Sequence, residues 1–175
     1  MGYTAHDTGL YYIGRGTVFF DRYINSLPTG MRDLGNCPDF RIAPTVEELT
    51  HYSSRTGLKV KDKTVTLSAE GVVRFTLDEY DIDNLTMAVL GTKLTQRTIA
   101  LFQDPTLEGH LRFVGDPAAG PDFQVDLWNV KLKPTSEIPF ISDEWSTIEF
   151  EAEIQSDVDN HPTCPYGQIE LIYLS

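Results

Sequence analysis

Apolar and polar residues alternate with a period of two along most of the chain. In "STIEFEAEI" (146–154), Ile148, Phe150, Ala152 and Ile154 fall on one face, while Thr147, Glu149, Glu151 and Glu153 fall on the other. "VVRFTL" (72–77) groups Val73, Phe75 and Leu77, and "HLRFV" (110–114) groups Leu111 and Phe113. This alternation marks strands with one buried face. "TVFF" (17–20) and "QIELIYL" (168–174) add two further strand runs. In "DFQVDLWNVKLK" (122–133), Phe123, Val125 and Leu127 share a face but Val130 and Leu132 take the other. That phase slip predicts a bulge or bend near Trp128. Leu58–Val60 and Val65–Leu67, on either side of "KDK", predict a small hairpin. One stretch departs from the pattern. "DIDNLTMAVLG" (81–91) has helical spacing, with Ile82, Leu85 and Val89 on one face, Asp81 or Asp83 as its cap and Gly91 just past its end.

Pro and Gly cluster between these runs, at "LPTG", "GDPAAGP" and "NHPTCPYG". There is no internal repeat and no linker. The predicted fold class is mainly β, a β-sandwich or partial barrel with one short flanking α-helix, in a single domain over residues 1–175. A chain of 175 residues, 41% hydrophobic and 11% aromatic, is long and apolar enough to bury a core. No run of about 18 apolar residues is present, so no membrane anchor is expected. The N-terminus lacks the basic and apolar regions of a secretory signal, and His6 stands where a myristoylation motif needs Ser or Thr. Cys37 and Cys164 are therefore expected as two thiols of a reducing compartment. The formal net charge of −12 argues against gripping a phosphate backbone.

Several short motifs carry chemistry elsewhere but lack their context here. "DTG" at Asp7–Gly9 has no second copy to make an aspartic-protease pair, so a terminal turn is the better reading. "DIDN" and "DVDN" (157–160) begin like calcium loops but lack the later glycine and glutamate; a helix cap and a turn explain them. His161 and Cys164 have no second pair at zinc spacing. "NLT" (84–86) is a glycosylation triplet inside the expected helix. "VEELTHYSSRTGLKVKDKTVTL" (46–67) gathers Glu47, Glu48, His51, Tyr52, Ser53 and Ser54. No nucleophile elbow or glycine-rich loop accompanies them, so a polar loop is preferred to a catalytic set, and the chain is expected not to be an enzyme. No catalytic residue, metal site or cofactor is expected. Lys59, Lys61 and Lys63 alternate beside this loop, and Glu149, Glu151 and Glu153 alternate on another strand. These are two solvated faces, or complementary patches that meet between subunits.

Three blocks carry a resemblance. "MRDLGNCPDFRIAPTVEELTHYSSRTGLKVKD" (31–62) is similar to a family pattern of a "LGN" turn, a strand, a "HYSS" element and a "G…KD" hairpin. "RFTLDEYDIDNLTMAVLG" (74–91) resembles a strand entering that family's helix. "GDPAAGPDFQVDLWNVKLKPTSEIPFISDEWSTIEFEAEIQSD" (115–157) resembles its long strand, "ISDEW" turn and acidic strand. The family is the major tail tube protein of long-tailed bacteriophages. The resemblance implies a structural virion protein whose homohexameric rings stack into a hollow tail tube. Genomic DNA would pass through that tube without specific binding. It implies assembly in the host cytoplasm, residence in the virion tail, and tape measure, tail tip and tail terminator proteins as partners. It further implies an assembly loop at about 44–66, in which Glu48, His51, Tyr52, Ser53, Ser54, Lys59, Lys61 and Lys63 contact a neighbouring subunit or ring. Glu149, Glu151 and Glu153 would face the lumen or a subunit boundary. Asp81, Asp83, Leu85 and Gly91 would cap and pack the helix. The alternatives are the tube protein of a contractile tail or type VI secretion-like system, or a sugar-binding sandwich using Trp128 or Trp145.

Overall fold

The computed structural model describes residues 6–55 and 57–173, with the backbone alone at 173. Strands β1 (Gly16–Ile24), β2 (Leu27–Pro28), β3 (Arg32–Asp33), β4 (Asp39–Ser53) and β5 (Val60–Leu77) precede helix α1 (Ile82–Ala88). Then follow β6 (Thr92–Thr95), β7 (Thr98–Ala100), β8 (Leu107–Gly115), β9 (Asp122–Pro134), β10 (Ile148–Gln155) and β11 (Gln168–Tyr173). The main sheet is antiparallel, in the order β2-β1-β8-β9-β10-β5-β4, with β3 added to β1 and β11 to β9. β6 and β7 form a separate ribbon beside the helix.

The alternating apolar residues read from the sequence meet in one core. Val73, Phe75, Leu77, Leu111, Val130, Leu132, Ile148, Phe150 and Ala152 are all buried. Phe75 stacks on its cross-strand partner Phe150 at 5.3 Å, and Phe40 of β4 stacks on Phe113 of β8 at the same separation. β4 and β8 lie far apart in the sheet order, so the sheet curls until its two halves face each other. The result is a β-sandwich with a flanking helix. It stops short of a closed barrel, because the outer edge of β4 pairs with no strand among the described residues.

The phase slip near Trp128 is a β-bulge. Gly109 pairs with Val130 and Leu111 with Leu127, so Trp128 and Asn129 together oppose His110. The expected hairpin around "KDK" is not formed. β5 runs unbroken through Lys61–Asp62–Lys63, and the turn lies earlier, where Gly57 N–H donates to the Ser54 carbonyl. Gly57 has φ +85°, a left-handed turn position that only glycine adopts without strain, and this fixes the turn there.

Asp81 caps the helix: its side chain accepts from Asn84 N–H at 2.6 Å. Asp83 sits in the first turn and pairs with Lys93 at 2.6 Å. The buried side of the helix is Asn84, Thr86, Met87 and Ala88, whereas Ile82, Leu85 and Val89 are half-buried. Apolar spacing misjudged the face because a polar residue anchors it. Asn84 donates to the Leu34 and Glu79 carbonyls and accepts from Arg32. Leu90 takes the left-handed position at the C-terminus, with Leu90 N–H on Met87 and Gly91 N–H on Thr86. Gly91 is needed for a different reason: a Cβ there would lie 2.6 Å from Ile99 of β7.

Asn84→Ala leaves the buried Leu34 carbonyl and the Glu79 carbonyl without this donor, and takes one acceptor from the Arg32 guanidinium, which keeps Asp81. It is expected to lower unfolding free energy by about 3 kcal/mol in urea denaturation, with the slope unchanged.

Candidate assembly surface

Beyond the Pro44–Gly71 pair, β4 and β5 leave the sandwich as a two-stranded arm, with no third strand beside it among the described residues. Its sequence favours a ribbon locally. Thr45, Val46, Thr50, Thr64, Val65 and Thr66 are β-branched, and Thr50 and Thr64 pair directly across the strands. The segment expected as a loop over about 44–66 is therefore mostly regular strand. Glu47, Glu48, His51, Tyr52 and Ser53 lie in β4, Ser54 in the turn, Lys59 just before β5, and Lys61 and Lys63 within it.

Two bulges set which residues share a face. Glu47 pairs with Ser68 and Glu48 with Thr66, leaving Leu67 as an extra residue; His51 pairs with Lys63 and Tyr52 with Lys61, leaving Asp62 extra. Opposed residues share a face and successive residues alternate. Lys61 and Lys63, opposite successive residues, thus fall on opposite faces, correcting the expectation of one lysine stripe. His51 Nδ1 lies 2.7 Å from Asp62 Oδ1 on the exposed ribbon. The polar residues of this stretch are spread along a strand and do not converge on a cavity.

The arm is apolar as well as charged. Val46, Leu49, Tyr52, Leu58, Val60, Val65 and Leu67 are all exposed, Leu58 to 79%. Leu49 and Val65 are directly opposed and form a bare apolar pair. An isolated hairpin is marginally stable in water, and large apolar side chains exposed on both of its faces mark a contact site. The tip is also cationic, with Arg55, Lys59, Lys61 and Lys63 against Asp62 over residues 51–63, in a chain of net charge −12.

Glu149, Glu151 and Glu153 point away from the core as read, but they do not form a bare acidic stripe. Arg74 on β5 holds Glu151 at 2.9 Å, and Lys133 on β9 pairs with Glu153. The Glu153 carboxyl is held below its usual range and the Lys133 ammonium above its own by this mutual contact. Lys131 also opposes Glu153 across the sheet. Glu149 alone of the three has no ion-pair partner among the described residues. The cations come from strands distant in sequence, so the one-strand pattern did not reveal them.

Sequence reasoning missed a buried polar cluster on the same outer face. Asp126, with a side chain only 3% exposed, accepts from Arg112 at 2.6 Å, from His110 at 2.8 Å and from Gln124 at 2.8 Å. Burial raises the Asp126 pKa, but the three hydrogen bonds outweigh it and hold the carboxyl below its ordinary value. Burial pushes the His110 imidazole down, against the pull of Asp126. Beside it, Trp128 lies flat on His161 at 3.9 Å and donates from Nε1 to the Cys164 carbonyl. His161 and Cys164 thus seat Trp128, which is half-buried and not a free stacking platform. Asp7 forms the terminal turn by accepting from Gly9 N–H. Cys37 and Cys164 are free thiols, and burial pushes Cys37 up to about 11. A second bare apolar group sits on the 135–147 connection, where Phe140, Ile141 and Trp145 are exposed, Trp145 to 98%.

Both buried titrations predict acid sensitivity. The His110 pKa is lower folded than its ordinary 6.5, so the unfolded chain binds the proton first and stability falls as pH drops through that value. The Asp126 pKa is also lowered, so its contribution is present above the ordinary 3.8 and is lost as pH falls through the folded value. Urea denaturation at pH 7 and pH 5 is expected to show a loss that is smaller in His110→Gln, and Asp126→Asn is expected to cost about 2 kcal/mol at pH 7.

No curated protein matches the chain. A family described as "Protein of unknown function UCP028589" matches residues 11–98, half of the chain, from before β1 through the arm and the helix to the β6–β7 ribbon. The chain belongs to this family.

Proposed function

We propose that this protein is a structural, self-assembling subunit, the tail tube protein of a long-tailed bacteriophage, and that the arm is its principal assembly element. The observation that carries the reading is the arm itself. A ribbon with exposed Leu49, Tyr52, Leu58, Val60 and Val65 has no packing surface among the described residues. Its apolar residues leave water only when another molecule covers them. The fold supports the reading, being a sandwich with one flanking helix and an open β4 edge. So does the resemblance carried by residues 31–62, 74–91 and 115–157. In this reading hexameric rings stack into a tube, and tape measure, tip and terminator proteins meet its interior and ends. The acidic surface lets DNA pass without holding it. Glu149, the unpaired member of its strand's acidic row, is the strongest lumen candidate of the three. The reading assigns the protein to the virion tail and gives it no catalytic role and no cofactor.

A sugar-binding module is the second reading, favoured by one feature. Trp145 and Phe140 flank a cleft of about 390 Å³ that Tyr80, Asp78 and Glu144 also line. Glycan-array binding that is lost in Trp145→Ala would support it over the tube.

A variant with residues 46–69 replaced by a two-residue Asn-Gly turn, which joins the directly paired Thr45 and Glu70, keeps the sandwich core, because no residue of that segment belongs to it. It is expected to remain folded by circular dichroism and monomeric by light scattering. The full chain is expected to form rings or tubes in negative-stain electron microscopy as concentration rises. Assembly by the arm-less variant equal to that of the full chain would sink the reading.

A further inference from the structure

We propose that the acidic cleft between the end of β1 and the loop after β10 receives the basic arm tip of a second copy of this chain. The inference rests on the self-assembly reading and names the surface that the arm meets. The cleft has a volume of about 870 Å³, and Tyr23, Asp104, Glu108, Asn129, Asp157 and Asp159 are among its lining residues. Arg22 pairs with Asp104, and His161 with Asp157. Glu108 and Asp159 have no ion-pair partner among the described residues. The Asn129 side-chain oxygen, shielded from solvent, has no hydrogen-bond partner among the described residues. Four carboxylates against Arg22 and against Lys131, which opposes Glu108 across β8 and β9, leave the cleft two negative charges in excess. The arm tip carries the converse, with Arg55, Lys59, Lys61 and Lys63 against Asp62 leaving three positive charges in excess. Excess charge of opposite sign, on one concave and one protruding surface, favours contact and fixes its register.

The tip cannot reach the cleft of its own chain. The arm extends nine residues of β4 beyond Pro44, which at about 3.3 Å each places the tip roughly 30 Å from its root. The cleft lies over β1, β8 and β9, back on the body of the sheet, separated from β5 by β10. The contact is therefore between molecules, and between two different surfaces. Such head-to-tail contacts propagate, closing into rings or continuing as filaments. The same charge distribution disfavours an anionic membrane or a nucleic acid as occupant, because the strongly acidic body follows the tip to the surface.

Charge reversal tests the pairing. The tip variant carries Lys59→Glu, Lys61→Glu and Lys63→Glu; the cleft variant carries Glu108→Lys and Asp159→Lys; a third chain carries all five changes. None of the five residues is buried in the core. Each is checked by circular dichroism and thermal unfolding, then assayed by light scattering and electron microscopy at about 0.1 M salt. The tip and cleft variants are each expected to need at least a ten-fold higher concentration than wild type to assemble. The five-fold variant is expected to regain most of that loss, since an acidic tip then meets a basic cleft. A folded cleft variant that assembles like wild type overturns the cleft assignment and leaves self-assembly standing. A five-fold variant as impaired as the single-surface variants also overturns it. A wild-type chain that stays monomeric at every salt and concentration overturns both the assignment and the self-assembly reading.

Discussion

Strand β5 has to satisfy two environments with one backbone. From Val73 to Leu77 its alternate side chains lie in the core, and its backbone is paired with β10 on one edge and β4 on the other. Before Gly71 the same strand keeps only β4 as a neighbour and is exposed on both faces. Because the ladder runs continuously through the junction, the arm is cantilevered from the sandwich. Its direction is fixed by core packing that lies outside it. Gly71 marks the root, where a Cβ would come 2.8 Å from the end of the Ile154 side chain of β10. The rigid part of the molecule thus aims the part that has no partner.

The sandwich was legible in the sequence wherever one face of a strand is buried. Ile148, Phe150 and Ala152, or Val73, Phe75 and Leu77, alternate because water lies on one side and the core on the other. Even the bulge at Trp128 could be read, since a two-for-one pairing must shift the apolar phase. The arm was not legible as strand because the cause of alternation is missing there. With solvent on both faces, "TVEELTHYS" carries no period of two, and its β-branched residues were the one remaining signal. The hairpin was misplaced for the same reason. "KDK" looks like a polar turn, but Gly57 supplies the backbone conformation that a turn requires.

Charge was legible in amount and not in arrangement. The row of Glu149, Glu151 and Glu153 reads as a repulsive stripe until Arg74, Lys131 and Lys133 are placed beside it. Exposed pairs of this kind contribute little to stability individually, yet they make the face nearly neutral. The Asp126 cluster is the opposite case. Its four members are scattered over residues 110–126, and only the sheet register brings Arg112 and Gln124 to the same carboxylate. One polar network is a surface texture, and the other holds a buried charge in place.

The two bulges of the arm have a geometric consequence. Each inserts an extra residue, Leu67 or Asp62, and each bulge increases the local right-handed twist of the ribbon. A ribbon so twisted does not present a flat strip. Its apolar pair Leu49–Val65 and its cations follow one another around a screw, and a planar partner would touch only part of that path. Whatever covers the arm along its length must curve with it, turning about the ribbon as a nut turns about a thread.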